Sequence, residues 1–202
     1  MPAARKKKDA MEVSKTILHT AKLLFAEHGV ESVSMHQVAK AANIGQGTLY
    51  RRYANKSDLC MDLMKDNFST FAASIDKLLL DQKDSSVQER FTLTIHHLIR
   101  FLDDEFDWIS VIQVPRHCEP DQATFFNSPP YQFLYRTYQS LLLEAQEKHE
   151  LIELDIEFVA HMLITSFPPE SYMYLKKVKG YSTERIAACF CQTSIDPLFL
   201  PK

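Results

Sequence analysis

The chain has 202 residues, 46% of them hydrophobic and 24% charged, enough for one or two domains with a true core. Four cysteines at this length exclude a disulfide scaffold and point to a reducing, cytoplasmic compartment. The basic start lacks the apolar stretch of a secretory signal, and no apolar run approaches the roughly 18 residues of a membrane span. The net charge of −3 is unevenly spread: residues 1–56 hold ten Lys/Arg against four Asp/Glu, and residues 57–202 hold thirteen against twenty-two. A basic head on an acidic body matches a polyanion-binding module joined to something else, although charge alone also fits a merely solvated surface.

The first expected helix carries Ile17, Leu18, Ala21, Leu24 and Phe25 as one apolar stripe and ends at Gly29. The basic run Arg5 to Lys8 before it reads as a tail, disordered without DNA. A second helix opens at Ser34, with Gln37 placed for a capping box. A third is expected over about 46–53, and a fourth from an Asn55 N-cap to about Leu80. Ser86 and Glu89 form another capping box. Further helices fit about 87–104, 105–114, 128–149, 155–167, 170–179 and 183–194, punctuated by Pro115, Pro120, Pro129, Pro130, Pro168 and Pro169. With only four glycines and few β-branched clusters, the fold class is all-α.

The spacing between the second and third helices carries the first functional reading. Ala41 and Ala42 let two helices cross closely, Asn43 tolerates the left-handed backbone of a sharp turn, and Ile44 plugs the corner. Two helices joined this way form a helix-turn-helix. On a helical wheel Leu49 and Tyr53 point inward, Gly47, Thr48 and Arg51 point outward, Tyr50 and Arg52 flank, and Gln46 lies at the tip. An amide, a hydroxyl, guanidinium groups and a phenol reach base edges and phosphates, and Gly47 permits close approach of the backbone. Lys56, at the start of the fourth helix, is a cation beside exposed amides and suits a phosphate.

The segment ILHTAKLLFAEHGVESVSMHQVAKAANIGQGTLYRRYANKSDL, within Ile17 to Leu63, resembles the DNA-binding domain of TetR-family transcriptional regulators. The resemblance implies an N-terminal three-helix DNA-binding domain (1–56) and a larger helical ligand-binding and dimerisation domain (57–202). It implies that Ser34, Thr48, Tyr50 and Lys56 hold phosphates, and that Gln46, Gly47, Tyr50 and either Arg51 or Arg52 meet bases. Asn43 stands where the family commonly has glycine. Gly45 stands where a serine-like cap is common, so the recognition helix is expected to be less firmly capped.

For the body, the resemblance implies that the last long helices, within about 155–194, pair with their copies as a four-helix bundle. The candidate stripes are Ile156, Val159, Leu163 and Phe167, and Ile186, Cys189, Phe190 and Thr193; the alternative is that these face the protomer's own core. Nine of the chain's twenty-two aromatics fall within 101–138. That density fits either ordinary core or an apolar pocket. The candidate effector residues are Phe101, Trp108, Phe126, Tyr131, Tyr135 and Tyr138, with His96, His97, Arg116 and His117 as polar partners. Cys189 and Cys191 do not make a zinc pattern, and no nucleophile–base pair or phosphate loop stands out. The expectation is therefore no metal, no cofactor and no enzyme. The leading reading is a homodimeric repressor, released from a palindromic DNA operator by an apolar or aromatic small molecule. The alternative is a related regulator controlled by a protein partner.

Overall fold

A computed structural model describes residues 2–105 and 126–201, and among these it contains helices and no strand, only an isolated bridge between Leu151 and Phe199. Numbered among the described residues, the elements are α1 Pro2–His28, α2 Met35–Ala41, α3 Gln46–Tyr50, α4 Lys56–Asp81, α5 Val87–Asp104, α6 Pro129–Glu147, α7 Ile156–Thr165, α8 Pro169–Met173 and α9 Thr183–Phe190. Five-residue π turns extend α8 (Tyr174–Val178) and α9 (Cys191–Ile195). The described residues divide into two compact units, one ending at Asn67 and the other beginning at Phe68, both within α4.

The first unit is a small core closed by α1. Ile17, Ala21 and Phe25 are buried at helical spacing and meet Val33, Val38, Ala39, Leu49 and Leu59. Gly29, at φ 79°, ends α1, its amide donating to the Phe25 carbonyl over 2.9 Å. The basic run Arg5 to Lys8 does not form a separate tail, because α1 already begins at Pro2.

The second unit packs α5 and α6 together with α7 and α9. Its core includes Phe91, Ile95 and Ile99 of α5, Tyr138 and Leu142 of α6, Leu163 of α7 and Ile186 of α9. Ser86 and Glu89 cap α5 reciprocally, and Ser128 caps α6 ahead of Pro129. α6 ends through His149 at φ 56°, with the Glu150 amide donating to the Ala145 carbonyl over 2.9 Å. Arg90, buried on α5, donates to Glu144 of α6 over 2.5 Å. Lys176 and Thr183 both donate to the Asp103 carboxylate, over 3.0 and 2.5 Å, tying α5 to the chain around α9.

Two expectations change here. The segment 170–179 is α-helical only to Met173 and then widens into a π turn, and Pro168 with Pro169 separates it from α7. Neither expected stripe is a uniform face: Leu163 and Ile186 are buried in the protomer, at 7% and 1% exposure, Ile156, Val159, Phe167 and Phe190 are half-buried, and Cys189 and Thr193 are exposed. The apolar side that α7 leaves uncovered carries Phe158 and Met162, at 62% and 42%. Helical period finds a stripe, and the neighbouring helices decide which stripe is inward.

Candidate functional site

The α2–α3 turn is built from hydrogen bonds that its residues dictate. At the start of α2 the Gln37 amide donates to Ser34 Oγ over 3.3 Å, and the Ser34 amide donates to Gln37 Oε1 over 2.8 Å. At its end Asn43 adopts φ 53°. The Asn43 amide donates to the Lys40 carbonyl over 3.2 Å and the Ile44 amide to the Ala39 carbonyl over 3.0 Å. This is a Schellman ending, made with asparagine in the place glycine usually takes. Gly45 follows as the N-cap of α3 and supplies no side-chain hydrogen bond, so α3 is capped only by backbone.

α3 is shorter than the expected 46–53. Arg51 is its C-cap, and the Arg52 and Tyr53 amides both donate to the Leu49 carbonyl, over 2.9 and 3.0 Å, tightening the last turn. Leu49 and Tyr53 are buried beneath it, whereas Gln46, Gly47, Tyr50 and Arg51 are exposed and Thr48 and Arg52 are half-buried. Arg51 lies back along the helix, its Nε donating to the Gly47 carbonyl over 3.0 Å. Tyr53 donates to Asp62 over 2.7 Å, and burial above all pushes its phenol well up from the ordinary value. Burial raises the Asp62 carboxyl, but hydrogen bonds from Lys65 and Tyr53 outweigh it and hold the group low.

Three candidate residues already have partners inside the unit. Ser34 Oγ also donates to Gln37 Oε1 over 2.8 Å. Arg52 reaches α1, donating to Ser14 Oγ over 2.5 Å. Lys56 donates to the carbonyls of Val30, Glu31 and Val33 over 2.8, 3.1 and 3.1 Å. An ammonium has three donors, and here each meets a carbonyl of the α1–α2 loop. Lys56 is therefore a clasp across the head. A further link escaped the sequence reading: Gln46 Nε2 hydrogen-bonds His36 Nδ1 of α2. Ten residues separate the two, and no local pattern announces the contact.

The candidate effector residues form several groups. Phe101 stacks on Phe71, with ring centres 4.6 Å apart, and Phe68 and Phe133 close on them edge-on. Phe126 and Tyr131 pack on His161, whose Nδ1 lies 2.7 Å from the Tyr131 hydroxyl, and Tyr135 stacks on Tyr131. Tyr138 packs on Phe91 and lines an apolar cavity of about 30 Å³ between α5, α6, α7 and α9, together with Ile95, Leu163, Phe167 and Phe190. His97 is half-buried on α5, where burial first, then the charges of Arg100 and His96, push its imidazole below the ordinary value. Trp108, Arg116 and His117 lie outside the described residues. Sequence reasoning missed His161, Leu163, Phe167 and Phe190 as neighbours of these groups, because each is brought in by a helix far along the chain.

No helix among the described residues is long and apolar enough to cross a membrane, and no three His, Cys, Asp or Glu among them gather as metal ligands.

Residues 17–61 match the profile described as bacterial regulatory proteins, tetR family. An HTH-type transcriptional regulator from Staphylococcus aureus is 33% identical over 135 residues, covering 67% of this chain and 70% of the relative. Another, from strain USA300 of that species, is 29% identical over 150 residues, covering 74% and 78%. Among solved structures, the chain resembles FadR of Thermus thermophilus, a TetR-family repressor in complex with lauroyl-CoA, with a TM-score of 0.70, 16% identity and 94% and 96% coverage. RolR in complex with resorcinol gives a TM-score of 0.66, 19% identity and 94% and 90% coverage. At such identities these structures speak for the fold.

Proposed function

The chain belongs to the tetR family of bacterial regulatory proteins, and on that premise we propose a homodimeric repressor that a small apolar or aromatic molecule releases from a palindromic operator. The single observation that carries this reading is the face of α3. Gln46, Gly47, Tyr50 and Arg51 stand exposed over a buried Leu49 and Tyr53, on a turn fixed by backbone hydrogen bonds. Gln46, Gly47, Tyr50 and Arg51 meet bases; Thr48, Tyr50 and Ser34 meet phosphates. Arg52 and Lys56 serve chiefly by holding the head together.

One recognition helix spans only a few base pairs, so two copies related by a twofold axis read two half-sites about 34–36 Å apart or a multiple. Phe158 and Met162 supply an uncovered apolar stripe on α7 for that pairing, with Cys189 and Thr193 exposed on the α9 segment. Phe158→Glu then yields monomers at micromolar concentration, seen by light scattering; an unchanged dimer contradicts this assignment.

Effector binding is supported by the apolar cavity beside Tyr138 and by relatives solved with lauroyl-CoA and resorcinol. At about 30 Å³ the cavity is far below the roughly 300 Å³ of an ordinary ligand site, so the effector enlarges it. A ligand that prefers the enlarged form shifts the population toward a dimer whose recognition helices no longer fit successive grooves, weakening binding about 5–150-fold. The small cavity also favours the second reading, control by a protein partner without an inducer. A thermal-shift screen of apolar and aromatic compounds, followed by release of bound DNA, separates them: stabilisation with release supports the effector, and none across the screen supports the partner.

A further inference from the structure

We propose that His36 is a positioning residue for base reading: it holds the Gln46 carboxamide and thereby sets the base preference at the tip of α3. The proposal rests on the reading of α3 as the DNA-contacting helix. Gln46 is the first residue of α3, flanked by Gly45 and Gly47, and its side chain is exposed. Glycines on both sides leave it no adjacent side chain to restrain its rotation. Its nitrogen is instead held by His36 Nδ1 of α2. The backbone of the Asn43 turn fixes how α2 meets α3, so the separation of His36 from Gln46 is set before any DNA arrives.

A primary amide has two N–H donors and one carbonyl. With Nδ1 of His36 accepting one N–H, the second N–H and the carbonyl remain, the pair that takes N7 and N6 of adenine. An unheld amide turns over and presents oxygen or nitrogen with little preference, so it distinguishes bases poorly. His36 is itself exposed and is absent from the buried core of the head. Removing its ring therefore acts on the amide and leaves the core intact.

The test uses full-length protein and selection from random-sequence duplexes, comparing wild type with Gln46→Ala, His36→Ala and His36→Asn. Gln46→Ala identifies the base pair beneath Gln46 as the one whose preference vanishes. The expected result is a loss of about tenfold discrimination at that same pair in His36→Ala, with preferences elsewhere and the melting temperature unchanged. His36→Asn places an acceptor oxygen near the position of Nδ1 and regains the preference. The proposal is overturned if His36→Ala keeps the wild-type preference at that pair, if it weakens all sequences equally, or if Gln46→Ala alters no pair. A wild-type protein that enriches no sequence overturns the reading of α3 itself, a failure distinguished by appearing before any substitution is made.

Discussion

The two units differ in how they use their polar groups. In the head, polar side chains tie short segments together: Lys56 of α4 clasps three carbonyls of the α1–α2 loop, Arg52, just past α3, reaches Ser14 of α1, and His36 of α2 holds Gln46 of the very short α3. In the body, longer helices pack by apolar faces, and a few ion pairs such as that of the buried Arg90 with Glu144 and that of Lys176 with Asp103 tie them together. A five-residue helix is far too short to be stable on its own. Its geometry therefore comes from tertiary contacts, and the contacts that hold it are the ones a DNA-reading surface depends on.

That difference breaks most visibly at Leu49, which is fully buried beneath α3. Leu49→Asp places an unpaired carboxylate in the core, at a cost of roughly 4 kcal/mol or more. Hydrogen exchange should show loss of protection in the head and retention in α5, α6, α7 and α9; a protected head that still binds DNA contradicts its buried role. A smaller effect is expected at Lys56. Lys56→Ala leaves three loop carbonyls without their charged donor and costs the head about 1–3 kcal/mol, with protection falling around residues 30–33. Unchanged protection together with a salt dependence of DNA binding reduced by about one phosphate makes Lys56 a phosphate contact and removes the clasp.

The ion pairs of the body give a smaller, pH-linked effect. Burial raises the Asp103 carboxyl, but hydrogen bonds from Thr183, Tyr172 and Lys176 outweigh it and hold the group low. The Glu144 carboxyl is held low first by its hydrogen bond from Arg90, against burial and with help from Lys148. Both folded values lie below the unfolded ones. The stability they contribute is present above the unfolded values near about 4 and is lost as pH falls through the lowered folded values. Melting of wild type should therefore drop in this acid range, and Asp103→Asn with Glu144→Gln should flatten the drop; an equally steep fall in the double variant contradicts the assignment. The smallest effect on stability is expected at Tyr50, exposed on α3. Tyr50→Ala should leave melting within about 0.5 kcal/mol of wild type and weaken operator binding, and unchanged affinity in a gel-shift titration removes Tyr50 from the contact face.

What was legible in the sequence follows the same division. The Ser34–Gln37 box, the Asn43 turn and the burial of Leu49 and Tyr53 are set by residues within a few positions of one another, and each was readable. The Lys56 clasp spans 23 to 26 residues and the Arg52 contact 38, so neither leaves a local pattern. Among the described residues of the body, α5, α6 and α7 were readable from period and proline, α5 also from its capping box, whereas the helix expected over 105–114 lies almost wholly outside the described residues. Which residues of each stripe face inward was not, because Leu163 and Ile186 are covered by helices whose placement no local spacing encodes, while Cys189 and Thr193 stay exposed. The π turns after Met173 and Phe190 add a further shift of face that a period of 3.6 does not foresee.

The central claim is that α3 and its surroundings form a surface that enters a DNA groove and neutralises phosphates. It is tested most directly by titrating salt against the affinity of the full-length protein for a duplex it has selected. The account predicts a straight, steep fall of log affinity with log salt, about 0.9 per phosphate contacted. A response flat from low to physiological salt, or no duplex retained even at low salt, contradicts it.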